Sequence, residues 1–243
     1  MRQTRVFTGQ GLSPFENIEL GEQAAHYLTR VLRLTVGDSI ILFNGDGLDY
    51  AGEITRIQRH LVTVSLDESR DPANESSLDT TLVQAISRGE RMDYCLQKAT
   101  ELGVSRFQLI NSKRVEVRLK GTRLQKRLAH WQSVIASACE QSGRARVPGL
   151  IAPLSLDQWL STNDGATRLI LDPLAKTGLS SASIGAGSVS LLVGPEGGFS
   201  PDEFEHAKAM GVKPVSLGPR VLRTETAGPA AIAALQTLAG DFR

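Results

Sequence analysis

Leu191-Leu192-Val193-Gly194-Pro195-Glu196-Gly197-Gly198-Phe199-Ser200-Pro201 decides how the second half of this chain is read. Its leading apolar residues form a short run of the kind buried in parallel sheets. The glycines permit positive φ and let a ligand come close to the backbone. Ser200, Pro201 and Glu203 then spell a helix start: a capping hydroxyl, a proline suited to the first helical position, and the carboxylate of a capping box. Strand, glycine-rich turn and helix make the repeating unit of an α/β domain, whose ligands sit outside the carboxyl ends of its strands. The turn is neither a dinucleotide fingerprint nor a P-loop, since the glycine spacing differs and no lysine follows. Glu196 opposes a polyphosphate and suits a ligand with hydroxyls or a positive centre. Taken alone, the same stretch also reads as a purely structural turn.

The alternation extends outward from this point. Leu82–Ile86, Phe107–Ile110, Arg168–Leu171, Val189–Val193 and Val215–Leu217 read as short strands. Met92, Cys95, Leu96, Ala99 and Leu102 fall on one helical face, and Gly103 stops that helix. A long helix is expected over Thr122–Gln141, another over Pro201–Met210, and an alanine-rich one at the end. The first seventy residues differ. Ile40–Phe43, Tyr50–Ile57 and Leu61–Leu66 read as strands around the turn Asn44-Gly-Asp-Gly47, with one helix near Glu22–Leu32, which suggests a small β-barrel-like module. Asp67–Ser77 has linker composition.

A second strand-to-helix loop, Leu217-Gly218-Pro219-Arg220-Val221-Leu222-Arg223-Thr224-Glu225-Thr226-Ala227, packs two arginines, a carboxylate and two hydroxyls into a few residues. Thr224 or Thr226 is expected to cap the helix that follows. The arginines are denser than a plain connector needs.

Charge is unevenly spread. Residues 1–75 carry 7 Lys/Arg against 11 Asp/Glu, 84–150 carry 13 against 5, and 151–243 carry 7 against 9. A basic block inside a nearly neutral chain fits a phosphate-binding face, or a solvated helix. No run of eighteen apolar residues suggests a membrane span, and the polar first residues do not read as a signal peptide. The two cysteines, Cys95 and Cys139, read as buried free thiols of a reducing cytoplasm. The four histidines have no metal-ligand spacing, so no metal is expected.

The paired loops Gly194–Gly198 and Leu217–Ala227 closely resemble those of SPOUT methyltransferases of the RsmE type. So do Arg88-Gly-Glu-Arg-Met92, Gln97–Gly103, Glu140–Arg144 with Val147-Pro148, and Arg5, Phe7, Val31–Arg33 and Gly37-Asp38. The resemblance spans essentially the whole chain. It implies an α/β fold with a trefoil-knotted parallel sheet and helices on both faces, over residues 73–243. A PUA-like β-barrel RNA-binding domain would precede it, over residues 1–72. It further implies a homodimer that methylates uridine N3 in 16S ribosomal RNA with S-adenosylmethionine. Carried over, the cofactor residues are Leu171, Gly194, Pro195, Glu196, Gly197, Gly198, Leu217, Gly218, Leu222, Thr224 and Ala227. One departure stands out: Gly228-Pro229 follows where the family continues with helix formers.

Methylation at N3 requires loss of its proton, so Arg220 or Arg223 would stabilise charge on the uracil oxygens, and Glu225 or Glu196 would act as base. Candidate RNA contacts are Arg88, Arg91, Arg114, Arg144 and Arg146, within a block that also holds Lys113, Arg118, Arg123, Lys126 and Arg127. Three other readings stay open. A non-catalytic RNA-binding protein explains the basic block but not two glycine-rich loops at strand ends. A Rossmann oxidoreductase lacks its fingerprint. A ribose 2′-O methyltransferase of the same superfamily is not separated by residue chemistry.

Overall fold

The computed structural model describes residues 4–115, 119–162, 165–182, 184 and 187–242. The chain divides into two compact units. One holds the N-terminal residues to Asn74 together with Cys139–Val147; the other holds Glu75–Ala138 and the residues from Pro148 on.

In the first unit, β1 (Thr4–Phe7), β2 (Asn17–Leu20), β3 (Ser39–Phe43), β4 (Asp49–Gln58) and β5 (Leu61–Arg70) form a sheet in the order β1-β3-β4-β5-β2. All pairs are antiparallel except β1 with β3. The turn between β3 and β4 is built by its side chains. Asn44 Oδ1 accepts the Asp46 amide at 3.1 Å and Asp46 Oδ1 the Leu48 amide at 2.8 Å, with Gly45 and Gly47 at positive φ. Val62, Val64 and Leu66 alternate inward from β5 onto Ile54, Leu42 and Leu20. Helix α1 (Glu22–His26) runs into a π-helical turn, Tyr27–Val31, and closes this core with Ala25 and Leu28. Strand β5 runs past its apolar segment: Ser69 and Arg70 still pair with Tyr50 and Asp49, so the linker expected from Asp67 begins later. Backbone bonding, rather than burial, holds that polar end.

The Cys139–Val147 stretch packs Cys139, Ala145 and Val147 against Phe43 and Phe7. Arg5 lies over the Phe43 ring at 5.0 Å, pairs with buried Asp49, and donates to the Arg144 carbonyl at 3.1 Å.

The second unit is the α/β part. Its elements are β6 (Asp79–Ala85), α2 (Glu90–Glu101), β7 (Arg106–Asn111), α3 (Gly121–Ser142, whose last turn belongs to the first unit), β8 (Gly149–Ser155), α4 (Leu156–Leu160), β9 (Thr167–Leu171), β10 (Ser188–Val193), α5 (Pro201–Ala209), β11 (Lys213–Val215) and α6 (Thr224–Ala239). The six strands are ordered β11-β9-β10-β6-β7-β8 and every pair is parallel. Val83, Ile170 and Leu192 face α4 and α5 through Trp159, Leu160 and Ala207. On the opposite face, α6 brings Gly228 against Leu82 and Gln84, while α2 presents Cys95 to Gln84. Helices thus cover both faces.

Three details differ from the sequence reading. Strand β8 and the five-residue α4, with its own Ser155/Gln158 capping box, lie outside the expected elements: β8 is a part-exposed edge strand with no buried apolar run, and α4 is little more than one turn. The last strand is Lys213–Val215, not Val215–Leu217; Ser216 leaves it to bridge Gly178, and Leu217 enters the loop. Helix α6 starts at Thr224 and runs through Gly228-Pro229. Proline has no N–H, so the helix forgoes a donor to the Glu225 carbonyl. Among the described residues no helix is long and apolar enough to cross a membrane.

Candidate active site

Strands β9, β10 and β11 end on the same side, and the loops that leave them wall one cavity of about 860 Å³. Its lining contains Leu171, Gly194 through Gly198, Leu217, Gly218, Leu222, Thr224 and Ala227, which is every residue assigned to the cofactor. Arg220, Arg223 and Glu225 line it as well, as do Arg91 and Arg114. Residues far apart in the sequence therefore meet, because parallel strands bring their carboxyl ends to one edge.

The first wall is a loop held by its own hydrogen bonds and by Arg114. Gly198 stands at φ 65° and its amide donates to the Pro195 carbonyl at 2.8 Å, closing a tight turn. Gly194 lies so near the Phe199 ring that a Cβ would come within 3.1 Å of it. Arg114 Nη1 donates to the Gly197 carbonyl at 2.9 Å. Downstream, Ser200 Oγ accepts the Glu203 amide at 3.3 Å while Glu203 accepts the Ser200 amide at 2.9 Å and the Lys113 amide at 2.7 Å. Thr224, first residue of α6, donates from Oγ1 to the Gly194 carbonyl at 2.6 Å and so joins the two walls.

Charges gather at the rim. Arg91 donates to Glu196 at 3.0 Å and its Nε lies 3.9 Å from Glu225 Oε1. Arg223 approaches the same Glu225 oxygen at 4.0 Å. The Glu225 side chain is only 13% exposed, and its Oε2 is buried with no hydrogen-bond partner. Beneath it, burial and then the Glu225 charge push the Cys95 thiol up to about 12, so Cys95 stays protonated and donates to Gln84 at 3.5 Å. The cleft thus offers loop amides, apolar Leu171, Leu217 and Leu222, and carboxylates that accept from hydroxyls or face a cation. That set suits a nucleoside-like ligand with a positive centre better than a polyphosphate.

The RNA candidates divide. Arg91 and Arg114 are exposed but engaged with the cleft loops. Arg88 is exposed and lies outside the cavity lining. Arg146 is exposed and spans Gly47. Arg144 is a correction: it is 4% exposed, so its guanidinium does not face the solvent from which RNA would approach. Arg123, Lys126 and Arg127 share the exposed start of α3, Lys113 is exposed near Asp202, and Arg118 lies outside the described residues. Sequence reasoning missed Gln84, whose only signal is a carboxamide within the apolar run Leu82–Ile86.

Comparison with known proteins agrees with this geometry. An RNA methyltransferase domain family matches residues 74–236, and an RNA methyltransferase PUA domain family matches 20–67. The chain is 33% identical to the ribosomal RNA small subunit methyltransferase E of Buchnera aphidicola subsp. Schizaphis graminum, covering 99% of this chain and 98% of the relative. With the enzyme of the same name from Synechocystis it shares 34% identity over 88% of this chain and 70% of the relative. Among solved structures, the ribosomal RNA small subunit methyltransferase E of Neisseria gonorrhoeae bound to S-adenosyl methionine superimposes with a TM-score of 0.93 at 37% identity, covering both chains fully. A Legionella pneumophila protein in complex with the same cofactor gives 0.96 at 36%, again over both full chains. Matched through both parts of its length, with its strand-end cleft intact, the chain belongs to the RNA methyltransferase family.

Proposed function

We propose that this chain transfers a methyl group from S-adenosylmethionine to N3 of a uridine in small-subunit (16S) ribosomal RNA. The observation that carries this is the convergence of all the family's cofactor positions on one cavity, together with the cofactor bound by close structural relatives. The cleft fits the cofactor: it is large enough, its glycines open the backbone, and the carboxylates of Glu196 and Glu225 in its lining suit hydroxyls or a cation. Bound there, S-adenosylmethionine supplies an electrophilic methyl group. The protein's contribution is positioning, charge stabilisation and management of one proton.

Leu171, Leu217 and Leu222 would hold the purine, and the Gly194–Gly198 backbone its polar edge. Arg220 and Arg223, both exposed into the cleft, would neutralise charge on the uracil oxygens. Glu225 is favoured over Glu196 as acceptor of the N3 proton, because Glu196 accepts a hydrogen bond from Arg91 at 3.0 Å, whereas Arg91 and Arg223 stand only at 3.9 and 4.0 Å from Glu225. The exposed basic residues, led by Arg88, Arg146 and the start of α3, would take phosphates.

The same reading gives residues 73–243 to the catalytic domain, with a trefoil knot, and residues 1–72 to a closed PUA-like RNA-binding barrel. The knot is supported by the path after β11: from the sheet edge the chain returns two strands inward to bond Gly194, while Thr177 and Leu179 bond Ser216 beside it. The protein would act in the cytoplasm as a homodimer, whose second copy would cover Leu174 and Val221, apolar and 89% and 80% exposed at the rim. Calorimetric titration with S-adenosylmethionine tests the site. Saturable binding is expected, and no heat at millimolar cofactor would reject it.

A further inference from the structure

Gln84 is a fully buried carboxamide one residue before the end of β6, directly after the apolar Leu82 and Val83. Burying a carboxamide is costly unless its hydrogen-bonding capacity is used. Here it is. Nε2 donates to the Ala85 carbonyl and to Thr224 Oγ1, each at 3.0 Å, and Oε1 accepts the Cys95 thiol at 3.5 Å. These bonds fix a direction. A threonine hydroxyl has one proton, and having accepted from Gln84 it points that proton at the Gly194 carbonyl, 2.6 Å away. Gln84 also stands beside Val193 in the β6–β10 ladder, one residue before that glycine. Gly228 leaves room for it: a Cβ there would lie 3.2 Å from Gln84 Oε1.

We infer, given a cleft that takes S-adenosylmethionine, that Gln84 is a positioning residue that sets the spacing between its two walls. It acts through Thr224, whose hydroxyl ties the start of α6 to the end of β10. Gln84 itself is absent from the cavity lining, so its effect on the ligand is indirect. An apolar residue of similar volume would pack in its place but leave the Thr224 hydroxyl without its donor.

The test compares the parent chain with Gln84→Met, Thr224→Val and the double variant, by calorimetric Kd for S-adenosylmethionine, by KM and kcat on ribosomal RNA, and by the melting temperature of the ligand-free protein. Each single change should raise the cofactor Kd and KM about tenfold, the scale of one buried hydrogen bond, with a far smaller change in kcat at saturating cofactor. The double variant should bind no worse than the weaker single, because both break one chain of bonds. Thr224→Ser, which keeps the hydroxyl, should recover most of the affinity lost in Thr224→Val. A residue with a merely structural role would lower the melting temperature and leave Kd where it was. Parental affinity in folded Gln84→Met, or single effects that multiply in the double variant, overturns the inference alone. No binding by the parent overturns the cleft assignment and the inference with it. Should Gln84→Met fail to fold, Thr224→Val decides: parental affinity there overturns the tie, and a loss recovered by serine supports it.

Discussion

Gly197 and Gly198 are neighbours with different reasons to be glycine. Gly198 holds φ at 65°, where a side chain is strained. A Cβ on Gly197 would meet only the Arg114 side chain, at an ordinary 3.7 Å. Gly197→Val should therefore fold normally and lose cofactor binding by crowding the cleft, which calorimetry beside a melting curve would register; unchanged affinity would move the cofactor elsewhere. Gly198→Ala should instead cost about 1 kcal/mol of stability through backbone strain. In the first unit, burial raises the Glu140 carboxyl above its ordinary range, against the opposing pulls of the Phe7 amide and Arg5. A carboxyl that holds its proton more tightly when folded makes stability fall as pH rises from the usual carboxylate range to its own raised value. Glu140→Gln keeps an acceptor for Phe7 and cannot titrate. The variant's stability relative to the parent should climb across that window and be level below it, as denaturant melts at a series of pH values would record.

At the scale of elements, α5 is the part most openly written in the sequence. Ser200, Pro201 and Glu203 announce its start, and the capping box forms as read. Ser200→Ala should cost about 1 kcal/mol in chemical denaturation, and should also weaken cofactor binding, since the Gly194–Phe199 loop enters the helix through that cap. The buried strands were legible for a similar reason: runs such as Leu191–Val193 have nowhere to go but a core. Less visible were elements that depend on partners distant in sequence. Strand β11 is three residues long and includes Pro214; its register comes from Leu169–Leu171. The end of β5 is polar and is held by a ladder to Asp49 and Tyr50. Helix α6 tolerates Gly228-Pro229 because the glycine packs on Leu82 and Gln84, neighbours that no local pattern reveals. Within the site, loop glycines and arginines were visible by composition, whereas Gln84 and the burial of Arg144 depended on packing.

Across the whole molecule, the net charge of +1 hides a basic middle and two acidic flanks. That asymmetry is an electrostatic statement about a polyanionic partner, and it is testable apart from the chemistry. Arg123, Lys126 and Arg127 are exposed and outside the cavity lining. Replacing them together with alanine should weaken ribosomal RNA binding and reduce its salt slope by about one for each phosphate no longer neutralised, with cofactor Kd unchanged. An unaltered slope would place the RNA on another face. The central claim is the transfer itself, and nucleoside mass spectrometry of small-subunit ribosomal RNA reads it most directly. RNA from cells lacking this protein should be missing 3-methyluridine, and the purified protein with S-adenosylmethionine should restore it. An unchanged nucleoside profile in those cells, or restoration of a ribose-methylated nucleoside instead, would contradict the account.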